Sequence, residues 1–375
     1  MIVPDLIILD GEARTTLGVV RSFVQKGMSV TVGCSNKSVL TSFSRGIKQH
    51  FTYCPKGHIE EAHKIIMDYV KFQRPKVLMP VMNWGWSIIN NFYKEYEHLT
   101  KIVPNPGKEL FDKLSNKSCL ADLCEQHGIS MPETMRPKDL NEALSFRNDL
   151  RYPVLLKPQR GESGRGIIRV DEKDELDKAL RKFSGIPIIQ EFIEGEDLEL
   201  TILIFNDQPI AGNSYKGLRN YPLPYGPPIA CRTIRDDNLM SLGVNFLKKI
   251  RYNGIAHLDF RKDRRDGQAK LLDFNPRLAG TNDASIAGGV DFGYMLYKLA
   301  LGEPINPVFD YKAGKEYRWI FGELEHLIQT PHKLRTLQNL MSINNVSTDF
   351  SFFDPGPHLV LLFRKLMQIF SRIKH

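Results

Sequence analysis

The chain has 375 residues, 42% of them hydrophobic and 25% charged, which suits a globular protein of two or three domains and excludes a collagen-like or disordered chain. Its five cysteines (Cys34, Cys54, Cys119, Cys124, Cys231) are odd in number and form no Cys-x-x-Cys pair, so neither a disulfide framework nor a zinc site is encoded and a reducing, cytoplasmic setting is expected. A net charge of +8 favours anionic ligands, but the basic residues are dispersed and accompany no nucleic-acid motif, so nucleic acid is not an expected partner.

The opening stretch MIVPDLIILD is apolar but interrupted by acids, without the basic leader and small-residue cleavage site of a secretory signal. No apolar run approaches the ~20 residues needed to span a bilayer. Residues 6–9 read as a strand, 16–26 as a helix with Thr15 or Thr16 as N-cap, and 29–32 as the next strand. A helix at 59–72, a buried strand at 76–81 and a helix after Trp84 continue the alternation. This predicts a parallel, doubly wound α/β domain over residues 1–112. Only Gly11 sits in the first strand-helix turn, which argues against a dinucleotide-binding fingerprint.

A helix over 113–127, stopped by Gly128, opens a different region. Strands are predicted at 153–158, 166–170 and 186–193, then a hairpin of 198–205 and 208–216 turning at Asn206-Asp207. Residues 220–228 hold four prolines and read as loop. The end of the chain, GPHLVLLFRKLMQIFSRIKH, has apolar residues at helical spacing, four Lys or Arg and no acid. Such a helix over 357–375 permits peripheral contact with a membrane; the alternative is an edge helix packed on the protein's own core.

Three motifs carry chemistry. In GIAHLDFRKDRRDGQAKLLDFNPR, strands at 255–261 and 269–275 form an antiparallel hairpin turning at Asp266-Gly267. Side chains alternate faces along a strand, so Asp273 and Asn275 share a face, Phe274 takes the other, and Asp259 joins the first two from the neighbouring strand. Three hard oxygen ligands form a partial cage that Mg²⁺ accepts; the alternative is an exposed hairpin with solvated acids. In PVLLKPQRGESGRGIIRV, Lys157 ends an apolar strand, and Gly161, Gly164 and Gly166 allow a loop whose N–H groups approach phosphate, although any tight hairpin would use the same glycines. In IPIIQEFIEGEDLEL, an apolar strand runs into acids and offers backbone groups to a flat base, with Glu191 and Glu199 as acceptors; a plain core strand is the alternative.

In this order and spacing the three motifs resemble the ATP-grasp superfamily, with a core like that of biotin carboxylase and carbamoyl-phosphate synthetase, over about 113–301. The resemblance implies an α/β N-terminal domain followed by an α+β ATP-grasp fold of two lobes, 113–190 and 191–310, with a mainly helical extension at 311–375. It implies ATP and one or two Mg²⁺ ions, or Mn²⁺, as cofactors. Lys117 and Lys157 are the implied nucleotide lysines, and Gly161, Gly164 and Gly166 the phosphate loop. Gln190, Glu191, Phe192 and Ile193 would be the adenine hinge, with Glu199 facing the ribose. Asp259, Asp273 and Asn275 match the metal triad and Arg277 the arginine near the transferred phosphate; the family commonly has Glu at position 273, which leaves the ion count open.

The implied activity is that of a carboxylate-amine ligase acting through an acyl phosphate on small-molecule substrates, with self-association allowed. A bicarbonate-using carboxylase or carbamoyl-phosphate type of enzyme, a kinase without ligation and a non-catalytic nucleotide-binding module are the alternatives. Asn83, Thr15, Thr16, Arg232, Arg235, Asn282 and Asp283 are candidate substrate contacts, each with a structural role as the alternative.

Overall fold

The computed structural model describes every residue except 1–2, 37–38, 55, 162, 342–343 and 374–375. Its first unit is a five-stranded parallel sheet of β1 (Leu6–Ile8), β2 (Val30–Cys34), β3 (Ile47–Thr52), β4 (Val77–Met79) and β5 (Lys101–Ile102), ordered β3-β2-β1-β4-β5. The central strands are apolar throughout because helices cover both faces. The sequence reading did not anticipate β3 or β5: the first is a mostly polar, exposed edge strand, and the second has only two residues.

The first helix, Arg14–Gln25, starts earlier than expected, with Ala13 at its N-cap. Thr15 and Thr16 therefore lie within the first turn rather than capping it. Their hydroxyls donate instead to carbonyl oxygens, Thr15 to Ala279 at 3.1 Å and Thr16 to Asp10 at 2.7 Å.

The expected helix over 113–127 is two helices, Lys108–Leu114 and Lys117–His127, because Asn116 interrupts the run and its Oδ1 accepts from the Ser118 and Cys119 N–H groups. Gly128, at φ 67°, closes the second helix. Leu120, Cys124 and Ile129 pack with Leu200, Leu258 and Phe274 of the larger sheet described below, so this segment joins that core although it precedes the small sheet in sequence.

The small sheet contains β6 (Thr134–Met135), β7 (Val154–Lys157), β8 (Ile168–Val170) and β9 (Ile188–Glu191), all pairs antiparallel, in the order β6-β9-β7-β8. The large sheet contains β10 (Gly195–Phe205), β11 (Gln208–Asn220), β12 (Pro228–Ile234), β13 (Gly254–Asp263), β14 (Ala269–Asn275), β15 (Glu316–Arg318) and β16 (Val346–Thr348), ordered β14-β13-β10-β11-β12-β15-β16. Asn206 and Asp207 both take positive φ, as the tight hairpin between β10 and β11 requires.

The C-terminal part is mainly helical, with Ile320–Gln329, Lys333–Met341 and Gly356–Ile373, yet β15 and β16 extend the large sheet. The charged strand β15 is buried because Glu316 binds Arg232 and Arg318, while Arg219 is held by Glu323. No described helix is long and apolar enough to cross a membrane. The N-terminal core is completed from the other end of the molecule: Phe292 and Leu296, on the helix Phe292–Ala300, pack into the cluster of Val19 and Phe23, and the rings of Phe23 and Tyr297 meet edge to face at 5.6 Å.

Candidate active site

A cavity of about 380 Å³ lies between the small and large sheets, closed at one side by Ala13, Arg14 and Thr15 of the N-terminal unit. Lys157, at the end of β7, is 6% exposed and donates to Gln190 Oε1 on the adjoining β9 at 2.5 Å. Burial, with the charge of Lys117 adding to it, pushes the Lys157 ammonium down to about 8. Gln190 Nε2 in turn donates to Thr134 Oγ1, so the lysine is held by an amide that is itself anchored on β6.

On the opposite wall, Asp259 of β13 pairs in register with Asp273 of β14. Phe274, between Asp273 and Asn275, points into the large core. Asn275 Nδ2 donates to Asp259 Oδ2 at 3.1 Å, and Arg277 Nη2 donates to Asn275 Oδ1 at 3.1 Å. Arg277 Nη1 is fixed on the Leu278 carbonyl at 2.7 Å, while its buried Nε finds no partner among the described residues. Lys117 Nζ reaches Asp273 Oδ2 at 2.7 Å.

On the same face of β13, His257 Nε2 lies 3.0 Å from Asp259 Oδ1 and 3.4 Å from Glu199 Oε2. Burial resists ionisation of Asp259, but the adjacent His257 outweighs it and holds the carboxyl below its usual range. For Glu199, burial prevails over His257 and, with Asp259 adding to it, raises the carboxyl to about 7. Burial opposes charge on His257 as well, yet Asp259 and Glu199 together raise its pKa. Donor atoms of Glu199, His257 and Asp259 lie within 4.8 Å of one another, a spacing that also suits a cation.

The cavity brings together Lys117, Lys157, Gly161, Gly164, Gln190, Glu191, Phe192, Ile193, Glu199, Asp259, Asp273, Asn275 and Arg277; Gly166 stands beside the same turn and does not line it. The Glu191 carboxylate is turned onto Arg265 at 2.6 Å, and the Glu191 and Phe192 N–H groups are used by Glu133 and Pro153 carbonyls. The Glu191 side chain lines the cavity region with its carboxylate already engaged by Arg265, which differs from the free acceptor expected of it.

A model of the ATP-grasp domain matches residues 114–281. That span contains the whole cavity wall except the N-terminal edge. The chain carries an ATP-grasp domain. Alpha-aminoadipate–LysW ligase LysX of Sulfurisphaera tokodaii is 31% identical over 133 residues, 34% of this chain and 46% of that protein. D-aspartate ligase of Enterococcus faecium is 23% identical over 241 residues, 58% of this chain and 57% of that protein. The chain thus spans about half the length of these curated relatives. A biotin carboxylase structure from Campylobacter jejuni shares the fold with a TM-score of 0.68 at 16% identity, covering 84% of this chain and 74% of that one. An L-amino acid ligase structure from Bacillus licheniformis does so at 0.62 and 16% identity, covering 82% and 76%.

Several groups at the ATP-grasp cleft escaped the sequence reading. His257 sits two residues before Asp259 and so shares its strand face, a signal that was available from strand alternation. Arg14 stacks over Trp319 at 4.7 Å and donates to the Gly280 carbonyl at 2.9 Å, an encounter of residues 266 apart in sequence that no local pattern announces. Tyr225, in the proline loop, packs against the glycine turn of the ATP-grasp domain at Gly164. Of the other candidate contacts, Arg232 is tied to Glu316, Arg235 to Asp310, and Asp283 accepts from the Tyr317 hydroxyl at 2.9 Å.

Proposed function

We propose that the protein is an ATP- and Mg²⁺-dependent ligase that activates a small-molecule carboxylate as an acyl phosphate and joins it to an amine, releasing ADP and phosphate. The observation that carries this reading is the facing pair Asp259–Asp273, with Asn275 and Arg277 beside it, across one cavity from Lys157. The donor set fits Mg²⁺: two carboxylates and an amide oxygen are hard ligands, and Lys117 and His257 now balance the two carboxylates. When bound, Mg²⁺ would neutralise charge on the phosphate oxygens.

The chain's own groups then divide the work. Lys157 and Lys117 bind the phosphates, and Lys117 is free to turn to them once Asp273 has another cation to balance it. The glycine turn at Gly161, Gly164 and Gly166 covers the phosphates and keeps water from the acyl phosphate. Residues 190–193 flank the base, and Glu199 faces the ribose. The substrate carboxylate attacks the γ-phosphorus, the bond to the β,γ-bridging oxygen breaks, and ADP leaves. Arg277, with one guanidinium nitrogen unpartnered among the described residues, holds the charge that develops on the transferred phosphoryl group. The amine then adds to the acyl carbon, phosphate departs and a proton is lost from nitrogen.

In this reading residues 1–112 form the N-terminal α/β domain that precedes the ATP-grasp fold, 113–190 and 191–310 the two lobes, and 311–375 an extension. The enzyme works in the cytoplasm, self-association is allowed, and residues 357–375 touch a membrane surface peripherally. The test is ADP release by the purified protein with ATP, Mg²⁺ and a panel of amino acids offered in pairs, with bicarbonate as a separate arm. Turnover that needs both an acid and an amine supports the ligase. Turnover with bicarbonate alone, or none under any condition, overturns it.

A further inference from the structure

Eleven of the nineteen large apolar side chains that stand exposed among the described residues fall between Leu324 and Met367, 44 residues out of 375. Scattered single exposures are ordinary, whereas a concentration of this kind marks a surface that is covered in use. On the last helix Leu359, Phe363 and Met367 repeat every four residues, so one face stays apolar and open to solvent. The helix Lys333–Met341 likewise exposes Leu334, Leu337 and Met341, spaced three and four residues apart. The two helices are tied to a common support, since Lys365 of the last helix binds Glu325 of Ile320–Gln329, which packs against Lys333–Met341.

Between them, Phe352 and Phe353 are 86% and 90% exposed on the short turn that precedes the last helix. Apart from the edge-to-face contact of Phe352 with Phe350 at 4.9 Å, rings so exposed add little to the protein's own packing.

The charge of this region narrows the choice of occupant. From Leu324 to the end the sequence has six Lys or Arg against one Glu and two Asp, a net +3 out of the whole chain's +8, with Glu325 taken up by Lys365. Both aspartates are turned inward: Asp349 accepts from His358 and the Ile320 N–H, and Asp354 is held by Arg21 and Ser44. Among the described side chains Lys333 and Arg335 stand exposed beside the apolar positions of their helix. A second copy docked here about a two-fold axis would set one excess of positive charge against the other, which disfavours a symmetric dimer. An anionic lipid headgroup layer over hydrocarbon supplies both complements at once.

We propose that this face docks on an anionic phospholipid surface, with Phe352 and Phe353 entering the headgroup layer and the helices Lys333–Met341 and Gly356–Ile373 lying along it. The inference rests on the peripheral contact of residues 357–375 in the reading above and widens it to two further elements and to a lipid charge.

The test is flotation of the full chain with two vesicle preparations, phosphatidylcholine alone and phosphatidylcholine mixed with phosphatidylglycerol, with lipid-free ATP turnover measured alongside. The intact protein should float with the anionic vesicles only, and F352S/F353S should lower the bound fraction by about tenfold or more, as loss of two buried rings requires. L359S/F363S should do likewise, and both variants should keep their melting midpoints and lipid-free turnover. Equal flotation with neutral vesicles overturns the charge argument. Loss with L359S/F363S but not F352S/F353S overturns the wider face and leaves only the narrower contact. No flotation, with a dimer that F352S/F353S splits, makes this an interface between copies; no flotation and no dimer overturns both proposals. Turnover without lipid reports on the ligase reading separately in every case.

Discussion

Lys117 Nζ lies 2.7 Å from Asp273 Oδ2, a pairing of residues 156 positions apart at the wall of the cleft. Both side chains are largely withdrawn from water, so removing one leaves the other as a poorly solvated charge. Asp273 thus holds an internal cation where the proposed chemistry needs an external one. Asp273→Ala should lower ADP release by ~10²-fold or more at saturating Mg²⁺, with Asp273→Asn close behind, if the carboxylate serves charge stabilisation. Wild-type-like release from folded Asp273→Ala would remove this residue from the mechanism.

Lys157 makes nucleotide binding depend on pH. Burial holds its pKa near 8 in the free protein, and a bound phosphate raises it again, so binding takes up a proton in the window between the two values. Affinity should therefore be constant below about 8 and fall as pH rises above it, approaching about tenfold per pH unit. Calorimetric titration of nucleotide at pH 7, 8 and 9 measures this, and Lys157→Gln should give a flat, weak profile. A wild-type affinity that does not change over that range contradicts the assignment.

Gly164 is closed to any side chain. It sits at φ 70°, and a Cβ there would stand 2.0 Å from the Tyr225 carbonyl oxygen. Gly164→Ala must push the glycine turn away from the proline loop, so phosphate cover is lost while the Lys157 and metal-side residues stay in place. Turnover should drop several-fold with increased futile ATP hydrolysis, read as ADP formed per mole of ligated product. Gly185→Ala, where a Cβ meets no atom within 4 Å but φ is 83°, controls for backbone strain alone.

Phe274 anchors the β13–β14 hairpin from beneath. It is 2% exposed and packs edge to face with Phe246 at 6.2 Å and near Tyr252 at 5.5 Å. Phe274→Ala should cost about 3–5 kcal/mol in denaturant unfolding, from lost transfer energy and the cavity left behind. A change under about 1 kcal/mol would mean that the core closes over the gap.

The parts of the fold legible in the sequence were those governed by short-range rules. The β13–β14 hairpin, with Asp273 and Asn275 flanking an inward Phe274, follows from strand alternation and a turn at Asp266-Gly267. The β10–β11 turn at Asn206-Asp207 was equally plain. The helix at 117 was misjudged because its boundary depends on one side chain, Asn116, whose capping bonds outweigh the continuous helical pattern around it. β3 and β5 lack apolar periodicity and exist only because neighbouring strands offer them partners. At the site, His257 was within reach of the alternation argument, whereas Arg14 over Trp319 and Tyr225 against Gly164 are tertiary meetings with no local signature. Glu191 is expected from its strand as a free acceptor, and its engagement by Arg265, 74 residues further on, has no local signature.

The packing of Phe292 and Leu296 onto Val19 and Phe23 sets how the molecule can be cut. A fragment ending near residue 112 would bare the apolar side of its first helix, and a fragment starting there would carry an orphaned hydrophobic ridge. Exchange of the N-terminal unit between related proteins should therefore succeed only when the 292–300 segment travels with it, which ties inheritance of that unit to a piece of chain nearly two hundred residues downstream.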